Sequence, residues 1–281
     1  MSRLAVFGTG LLGSGFAQNL RKKGHDVVVW NRTVAKARPL EAVGCTVAET
    51  PAAAATGVER LHLILSDDDA VDAVLEAIAA GHGGHLPAQV VDHTTVTPAG
   101  VVRRAAKWGD RYLHAPVFMG PKNAADATGS MMVAGPRAVV EPLLPVLQTM
   151  TGKVVDLGER VDLPAVWKLC GNGMLLSIVS ATSDILEVAR GAGADPAQML
   201  EMFTWFDVAP MIRFRGQKMA KGEYTPATFE LQMARKDVRL MLETAASDHV
   251  VVLPAIAARM DELLAAGQGH EDYSVVGRKR T

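Results

Sequence analysis

Close to its start, the chain runs from a short apolar stretch, Leu4 to Phe7, into Gly8-Thr9-Gly10-Leu11-Leu12-Gly13. The spacing G-x-G-x-x-G is common by chance, because glycine is common. Its setting makes it informative: a strand-like run precedes it, a helix-like stretch from Leu11 to Lys23 follows, and a second apolar run, Val27 to Trp30, comes next. In such a βαβ unit each glycine has a mechanical task. Gly8 permits a tight turn, Gly10 lets a pyrophosphate approach the backbone, and Gly13 lets helix and strand pack closely. The helix start, with Thr9, Leu11 and Leu12 around it, offers free N–H groups and partial positive charge to phosphates. The alternative is a purely structural glycine turn.

The rest of the chain extends this pattern. As far as about residue 160, continuous apolar runs (Leu4–Phe7, Val27–Trp30, Leu61–Leu65, Gln89–Val91) alternate with alanine-rich helical stretches. Continuous runs mark strands buried on both faces of a parallel sheet. The expected fold is α/β: an N-terminal Rossmann domain with a doubly wound parallel sheet over 1–160. "RYLHAPV", "SMMVAG" and "KVVDLG" read as extra strands. After residue 160 a long helix is expected from Leu163 to Arg190, ~40 Å at 1.5 Å per residue. It stops at Gly191 and Gly193, and Asp195-Pro196 starts the next helix. Helical patterns recur near 196–205, 226–247 and 254–266. The remainder, 161–281, is therefore expected to be an all-helical substrate and dimerisation domain.

Bulk properties narrow the function classes. The net charge of -1 gives no broad attraction to nucleic acid or to anionic membranes. With 49% hydrophobic and 21% charged residues, a sizeable core is possible. Two cysteines, Cys45 and Cys170, make no disulfide framework. No uninterrupted apolar run of ~20 residues is present, and "MSRLAVFGTG" lacks the parts of a signal peptide. A soluble cytoplasmic protein is the expectation, with Arg278-Lys279-Arg280 as a solvated terminus.

The second strand ends in Asn31-Arg32-Thr33, where many dinucleotide-binding proteins carry a carboxylate for the ribose 2′-hydroxyl. A carboxylate would repel a 2′-phosphate, whereas a guanidinium pairs with it in a fork. Asn31 and Thr33 can add hydrogen bonds, a helix beginning near Thr33 would present its positive end, and Lys36 follows one turn later. The trio suits NADP(H). The competing reading makes Thr33 a helix cap and Arg32 a surface charge.

A reductase also needs a proton donor at the reacting oxygen. In "LPAVWKLCGNGMLL", Lys168 and Asn172 stack on one helix face. Gly171 and Gly173 each cost about 1 kcal/mol in a helix interior, which suggests that something approaches the backbone there. Lys168 could supply the proton, or it could be a solvated lysine on a buried helix. Other features read as structural. Cys170 is taken as a packed thiol, and His82 and His85 as a glycine-loop pair without further metal ligands. Asp68 or Asp69 is taken as a helix start. Trp205, Phe206, Met211 and Phe214 are taken as core or a subunit contact, with a place in the substrate pocket as the alternative. No metal site is expected.

Four stretches together resemble the β-hydroxyacid dehydrogenase family, which includes 3-hydroxyisobutyrate dehydrogenases, tartronate semialdehyde reductases and glyoxylate/succinic semialdehyde reductases. They are "VFGTGLLGSGFAQNLRKKGHDVVVWNRT", "VDHTTVTP", "KLCGN" and "FELQMARKDVRL", and the resemblance spans nearly the whole chain. It implies that Lys168 is the catalytic lysine and Asn172 its substrate-binding neighbour. It implies that Thr94 holds substrate, that Thr95 lies near the nicotinamide, and that Leu65 and Ser66 line the cofactor. Lys236 would reach back to the cofactor, with Asp237 beside it on the substrate side. Members ending the second strand in Asn-Arg-Thr tend to use NADPH. The family's D-A-P-V-S-G-G is here "HAPVFMG": Phe118 and Met119 stand before Gly120, where serine and glycines would bind a substrate carboxylate. The resemblance implies an NADPH-dependent oxidoreductase and homodimer that interconverts an aldehyde or keto compound and its alcohol between two domains. The rivals are an imine reductase on the same scaffold and a non-catalytic NADP-binding regulator.

Overall fold

The computed structural model describes residues 1–247 and 249–279; Arg280 of the basic end lies outside them. Two compact units divide the chain, Met1–Asn172 and Gly173–Thr281.

The first unit begins with β1 (Arg3–Phe7), α1 (Leu11–Lys22) and β2 (Asp26–Trp30). It continues with β3 (Thr46–Val47), α2 (Pro51–Ala55), β4 (Arg60–Leu63), α3 (Asp68–Ala80), β5 (Gln89–Asp92), α4 (Pro98–Trp108) and β6 (Tyr112–His114). The six strands form one parallel sheet in the order β3-β2-β1-β4-β5-β6. The order reverses direction between β1 and β4, so the carboxyl edge there is the expected ligand crevice. Alternate residues of the strands serve two cores. Leu4, Val6, Val27 and Val29 pack with Phe16 and Leu20 on one face. Ala5, Phe7, Leu61 and Leu63 pack with Val71, Leu75 and Ile78 on the other. This two-sided burial is why the strands read as unbroken apolar runs.

Of the expected extra strands, that in "RYLHAPV" is β6 and extends the parallel sheet, whereas the other two do not. Next come β7 (Val117–Phe118), α5 (Pro121–Asp126), β8 (Ser130–Val133), α6 (Arg137–Gln148) and β9 (Lys153–Asp156). Strands β7, β8 and β9 make their own three-stranded sheet, with β7 antiparallel and β9 parallel to β8. Pro116, which separates β6 from β7, has no N–H with which to continue a ladder. Its carbonyl accepts the Met132 N–H at 3.0 Å instead.

The expected helix near Thr33 is two short 3₁₀ turns, Val34–Lys36 and Arg38–Val43. Pro39 lacks the N–H that a continuous helix would need. Thr33 makes no side-chain cap. Asp67, rather than Asp68 or Asp69, caps α3 by accepting the Ala70 N–H at 2.8 Å.

The long helix is α7 (Leu163–Gly191), and the unit boundary falls inside it. Its first turns, with Lys168 and Asn172, belong to the first unit. By length and composition alone α7 could cross a membrane, with a mean hydropathy of 1.3. It carries two side chains that argue for other work, the half-buried Lys168 and the buried Asp184.

The second unit holds the rest of α7, then α8 (Pro196–Met199), α9 (Ala209–Lys221), α10 (Leu231–Thr244) and α11 (Val252–Ala265). Its core gathers Leu231, Val238, Leu253, Met260, Leu263 and Val275. Asp184 receives the N–H groups of Val251, Val252 and Leu253 at 3.0, 2.8 and 2.8 Å, which caps the start of α11. The helix expected over 226–247 begins only at Leu231. Before it, the Thr228 N–H and hydroxyl are committed to the buried Asp272 at 3.0 and 2.8 Å. Helix α9 was not expected at all, because its large apolar residues line no buried stripe: Met211, Ile212 and Phe214 are exposed. Trp205 and Phe206 are exposed too, so this cluster is not core within the chain. Cys170 is also exposed, not packed. Arg278 is not a loose terminal charge; it pairs with Glu271 at 2.6 Å and stacks on Tyr224.

Candidate active site

The glycine loop is built as its spacing implies, but its three glycines do unequal work. Gly8 has φ +91°, and its N–H donates to Trp30 O at 2.8 Å. A Cβ on Gly8 would lie 2.0 Å from Ile64 O, and one on Gly13 would lie 1.8 Å from Gly8 O. These two glycines let β1, α1 and the end of β4 close on one another. Gly10 meets nothing within 4 Å. Its missing side chain leaves open space in front of the N-terminus of α1, where the N–H groups of Leu11, Leu12 and Gly13 are free of helical partners. Leu11 is exposed, whereas Leu12 packs against the core and offers a ligand mainly its backbone.

A cavity of about 460 Å³ opens beside this loop. Gly8, Gly10, Asn31, Arg32, Thr33, Lys36, Leu65 and Ser66 line it, all of them expected cofactor residues. The exposed cations Arg32 and Lys36 stand on its rim, and no carboxylate is among its lining residues. An open cradle, a helix N-terminus and paired cations fit a dinucleotide that carries an additional phosphate. The lining residues not foreseen are Trp30, Pro51, Ile64, Ala70, Ala73 and Val74. They are apolar side chains from a strand end, the loop after β4 and the helices α2 and α3, and nothing in their local sequence separates them from core.

Two expected contacts are reassigned. The Asn31 amide is already engaged: its Oδ1 accepts the Thr9 N–H at 3.1 Å, and its Nδ2 donates to Thr33 O at 2.9 Å. It ties the glycine loop to the turn carrying Arg32. Thr94, expected to touch substrate, is buried, and its hydroxyl accepts the Leu65 N–H at 3.0 Å. Thr94 therefore joins the loops after β4 and β5. Thr95, next to it, is exposed.

A buried polar relay holds that second loop. Arg60 Nε donates to His62 Nε2 at 3.3 Å, so His62 Nδ1 carries the proton toward His93 Nε2 at 3.0 Å. His93 Nδ1 in turn donates to Ala115 O at 2.6 Å. Burial pushes the His62 imidazole well below its ordinary range and that of His93 down to about 4. His114, where the family has aspartate, donates from Nε2 to Thr94 O at 3.0 Å. Asp92 accepts the Thr94 N–H and the Tyr112 hydroxyl at 2.9 and 2.7 Å. Sequence reading passed over this network, since isolated histidines in strands carry no spacing signal.

Lys168 is half-buried, and desolvation lowers its pKa. Three residues earlier, Ala165 is fully buried in the cluster that contains Val96 and Val101, which anchors this end of α7 on the first unit. The Lys168 ammonium lies 4.4 Å from the centroid of the Phe118 ring. The approach implied by the helix glycines is real at Gly171, where a Cβ would lie 2.3 Å from Phe118 Cζ; at Gly173 nothing lies within 4 Å. Met119 packs against the core, and the Gly120 N–H donates to Asn123 Oδ1 at 2.9 Å. Met119 and Gly120 remain half-buried. Lys236 and Asp237 lie in the second unit, paired with each other at 2.7 Å. Among the described residues no group of histidine, cysteine and carboxylates could hold a metal.

Comparison with known proteins agrees with this geometry. Residues 3–158 match the family model described as the NAD binding domain of 6-phosphogluconate dehydrogenase. Residues 165–278 match that described as NAD-binding of NADP-dependent 3-hydroxyisobutyrate dehydrogenase. The chain is 31% identical to glyoxylate/succinic semialdehyde reductase 2 of Arabidopsis thaliana, covering 97% of this chain and 78% of that one. It is 30% identical to reductase 1 of the same plant, covering 97% and 96%. An Aspergillus terreus reductive aminase, solved with NADPH and ethyl levulinate, superposes with a TM-score of 0.84 over 98% of each chain at 22% identity. At that identity the likeness concerns the fold.

Proposed function

The chain belongs to the β-hydroxyacid dehydrogenase family of NAD(P)-dependent oxidoreductases, and from that premise we propose that it reduces the carbonyl of a small aldehyde or ketone with NADPH. The bound nicotinamide supplies the hydride. The observation that carries the reading is Lys168, whose burial makes its ammonium a readier acid near neutral pH. Lys168 donates the proton to the carbonyl oxygen and stabilises charge developing there. Asn172, one helical turn on, orients the substrate, while Thr95 helps enclose the nicotinamide end. Arg32 and Lys36 favour the 2′-phosphate. The exposed apolar residues of α7 and α9, among them Leu176, Val179 and Phe214, support a homodimer.

Imine reduction is the second reading, since a reductive aminase shares the fold. Lys168 favours the carbonyl reaction, because an ammonium can protonate an alkoxide as it forms. Lys168→Ala decides the role of the lysine: turnover of a short semialdehyde should fall about 10²–10⁴-fold while NADPH still binds. Wild-type enzyme that turns over cyclic imines and no carbonyl compound would overturn carbonyl reduction. Enzyme that binds NADPH without any turnover would make the protein a regulator.

A further inference from the structure

We propose that Phe118 is a positioning and selectivity residue: its ring, seated against Gly171, sets the direction of the Lys168 ammonium and makes the adjoining surface fit uncharged alkyl or aryl carbonyl compounds rather than carboxylates. The proposal rests on the carbonyl-reductase reading above. Three features of the first unit carry it. The ring occupies the place a side chain at 171 would fill, with a Cβ there falling 2.3 Å from Cζ and 2.8 Å from Cε1. Lys168 lies one turn earlier on the same face of α7, and its Nζ is 4.4 Å from the ring centroid. The electron-rich ring face attracts the ammonium, and no ion pair to Lys168 occurs among the described residues. The third feature is the chemistry of the turn after β7. Phe118 and Met119 carry no side-chain donor, and the Gly120 N–H is committed to Asn123 at 2.9 Å. A carboxylate oxygen brought here would find no side-chain donor on Phe118 or Met119 and an amide already occupied. An alkyl or aryl group would lose only water.

The test uses the full-length enzyme with NADPH bound, as wild type, Phe118→Leu, Phe118→Tyr, Phe118→Ser and Gly171→Ala. Retained NADPH binding shows that each variant is folded. The Lys168 amine is titrated by NMR of labelled lysine, its signal assigned with Lys168→Met. Phe118→Leu keeps the apolar volume and removes the ring, so the ammonium loses a stabilising partner and its pKa falls by about 0.5 to 1 unit. Phe118→Tyr keeps the wild-type value. Gly171→Ala displaces the ring and matches Phe118→Leu, but adds nothing in a Phe118→Ala background. In parallel, kcat/KM is measured for butanal and for succinic semialdehyde. Wild type prefers butanal, and Phe118→Ser shifts the ratio toward the anion by about tenfold or more. A Lys168 titration that stays put in Phe118→Leu, or a substrate ratio that moves less than twofold in Phe118→Ser, overturns the proposal. Wild-type enzyme that reduces neither aldehyde overturns the reductase reading instead, and the lysine titration still decides the positioning role.

Discussion

Gly10 and Gly13 belong to one motif, yet their alanine variants should fail in opposite ways. At Gly13 the new Cβ would lie 1.8 Å from Gly8 O, against an ordinary carbon–oxygen contact of about 3.3 Å. The carbonyl would have to retreat roughly 1.5 Å, while the Gly8 N–H is tied to Trp30 O at 2.8 Å. Overpacking of this kind costs about 1–3 kcal/mol, sometimes more. Alanine in the helix returns about 1 kcal/mol of it. The net loss is then up to about 2 kcal/mol, which would lower the melting temperature by as much as roughly 4–8 °C for a chain of this size. At Gly10 the backbone has φ -69° and ψ -172°, open to any residue, and nothing lies within 4 Å. Gly10→Ala should leave the stability of the cofactor-free protein unchanged or raise it by about 0.4–1 kcal/mol through unfolded-state entropy, with a melting temperature no lower than wild type. Its methyl group, however, projects where the pyrophosphate must approach. The Kd for NADPH should rise about tenfold or more, a penalty of ~1.4 kcal/mol. Differential scanning fluorimetry gives the first quantity, and quenching of tryptophan fluorescence by NADPH gives the second, since Trp30 lines the cavity. A Gly10→Ala protein that binds NADPH within twofold of wild type would refute the assignment of this loop to the phosphates.

Arg32→Asp should raise the Kd for NADPH by about tenfold or more while changing that for NADH less than threefold, because only NADPH carries the 2′-phosphate; equal losses in paired titrations would remove Arg32 from that site. Stability should also depend on pH through the buried relay. Burial lowers the folded His93 pKa to about 4, below its unfolded value of ~6.5, so the unfolded state binds more protons in between. Stability is therefore full above ~6.5 and falls as pH drops toward 4; urea melts at pH 5 and 7.5 should show a difference that shrinks in His93→Gln. Asp184 has the same sign in a more acidic window. Burial works against its charge, but three N–H groups outweigh burial and hold its carboxyl below the usual range. Its contribution is present above the unfolded value of ~3.9 and is lost as pH falls through the lower folded one. Asp184→Asn should cost about 2 kcal/mol at pH 7, since one carbonyl oxygen cannot serve three donors, with faster hydrogen exchange at Val252; a change under about 0.5 kcal/mol would be inconsistent with this cap.

Much of the fold was legible because its signals are local. Burial on both faces makes a strand an unbroken apolar run, and so the parallel strands β1, β2, β4 and β5 were read near their places. The glycine loop and α7 announced themselves by spacing and by a terminal Gly191, whose Cβ would fall 1.7 Å from Thr244 O. Elements stabilised by distant partners were harder. The separate sheet of β7, β8 and β9 depends on where the chain turns after Pro116. Helix α10 starts late because Asp272, 44 residues away, takes the donors of Thr228. Helix α9 exposes the residues that would have formed an apolar stripe.

The candidate site divides along the same line. Residue type and spacing alone determined a phosphate-binding βαβ turn, cations where a carboxylate is usual, and a lysine one turn from an asparagine on a long helix. These depend on neighbours within a few residues, and helical and strand geometry converts such spacing directly into position. Tertiary structure decided what each side chain has left to offer. Asn31 and Thr94 spend their hydrogen bonds on other loops, His62 and His93 form a buried relay, and Gly171 is the seat for a ring 53 residues earlier in the chain. A side chain's free valences depend on what packs against it, and those partners are chosen by the closing of the sheet and helices, far beyond the reach of local spacing.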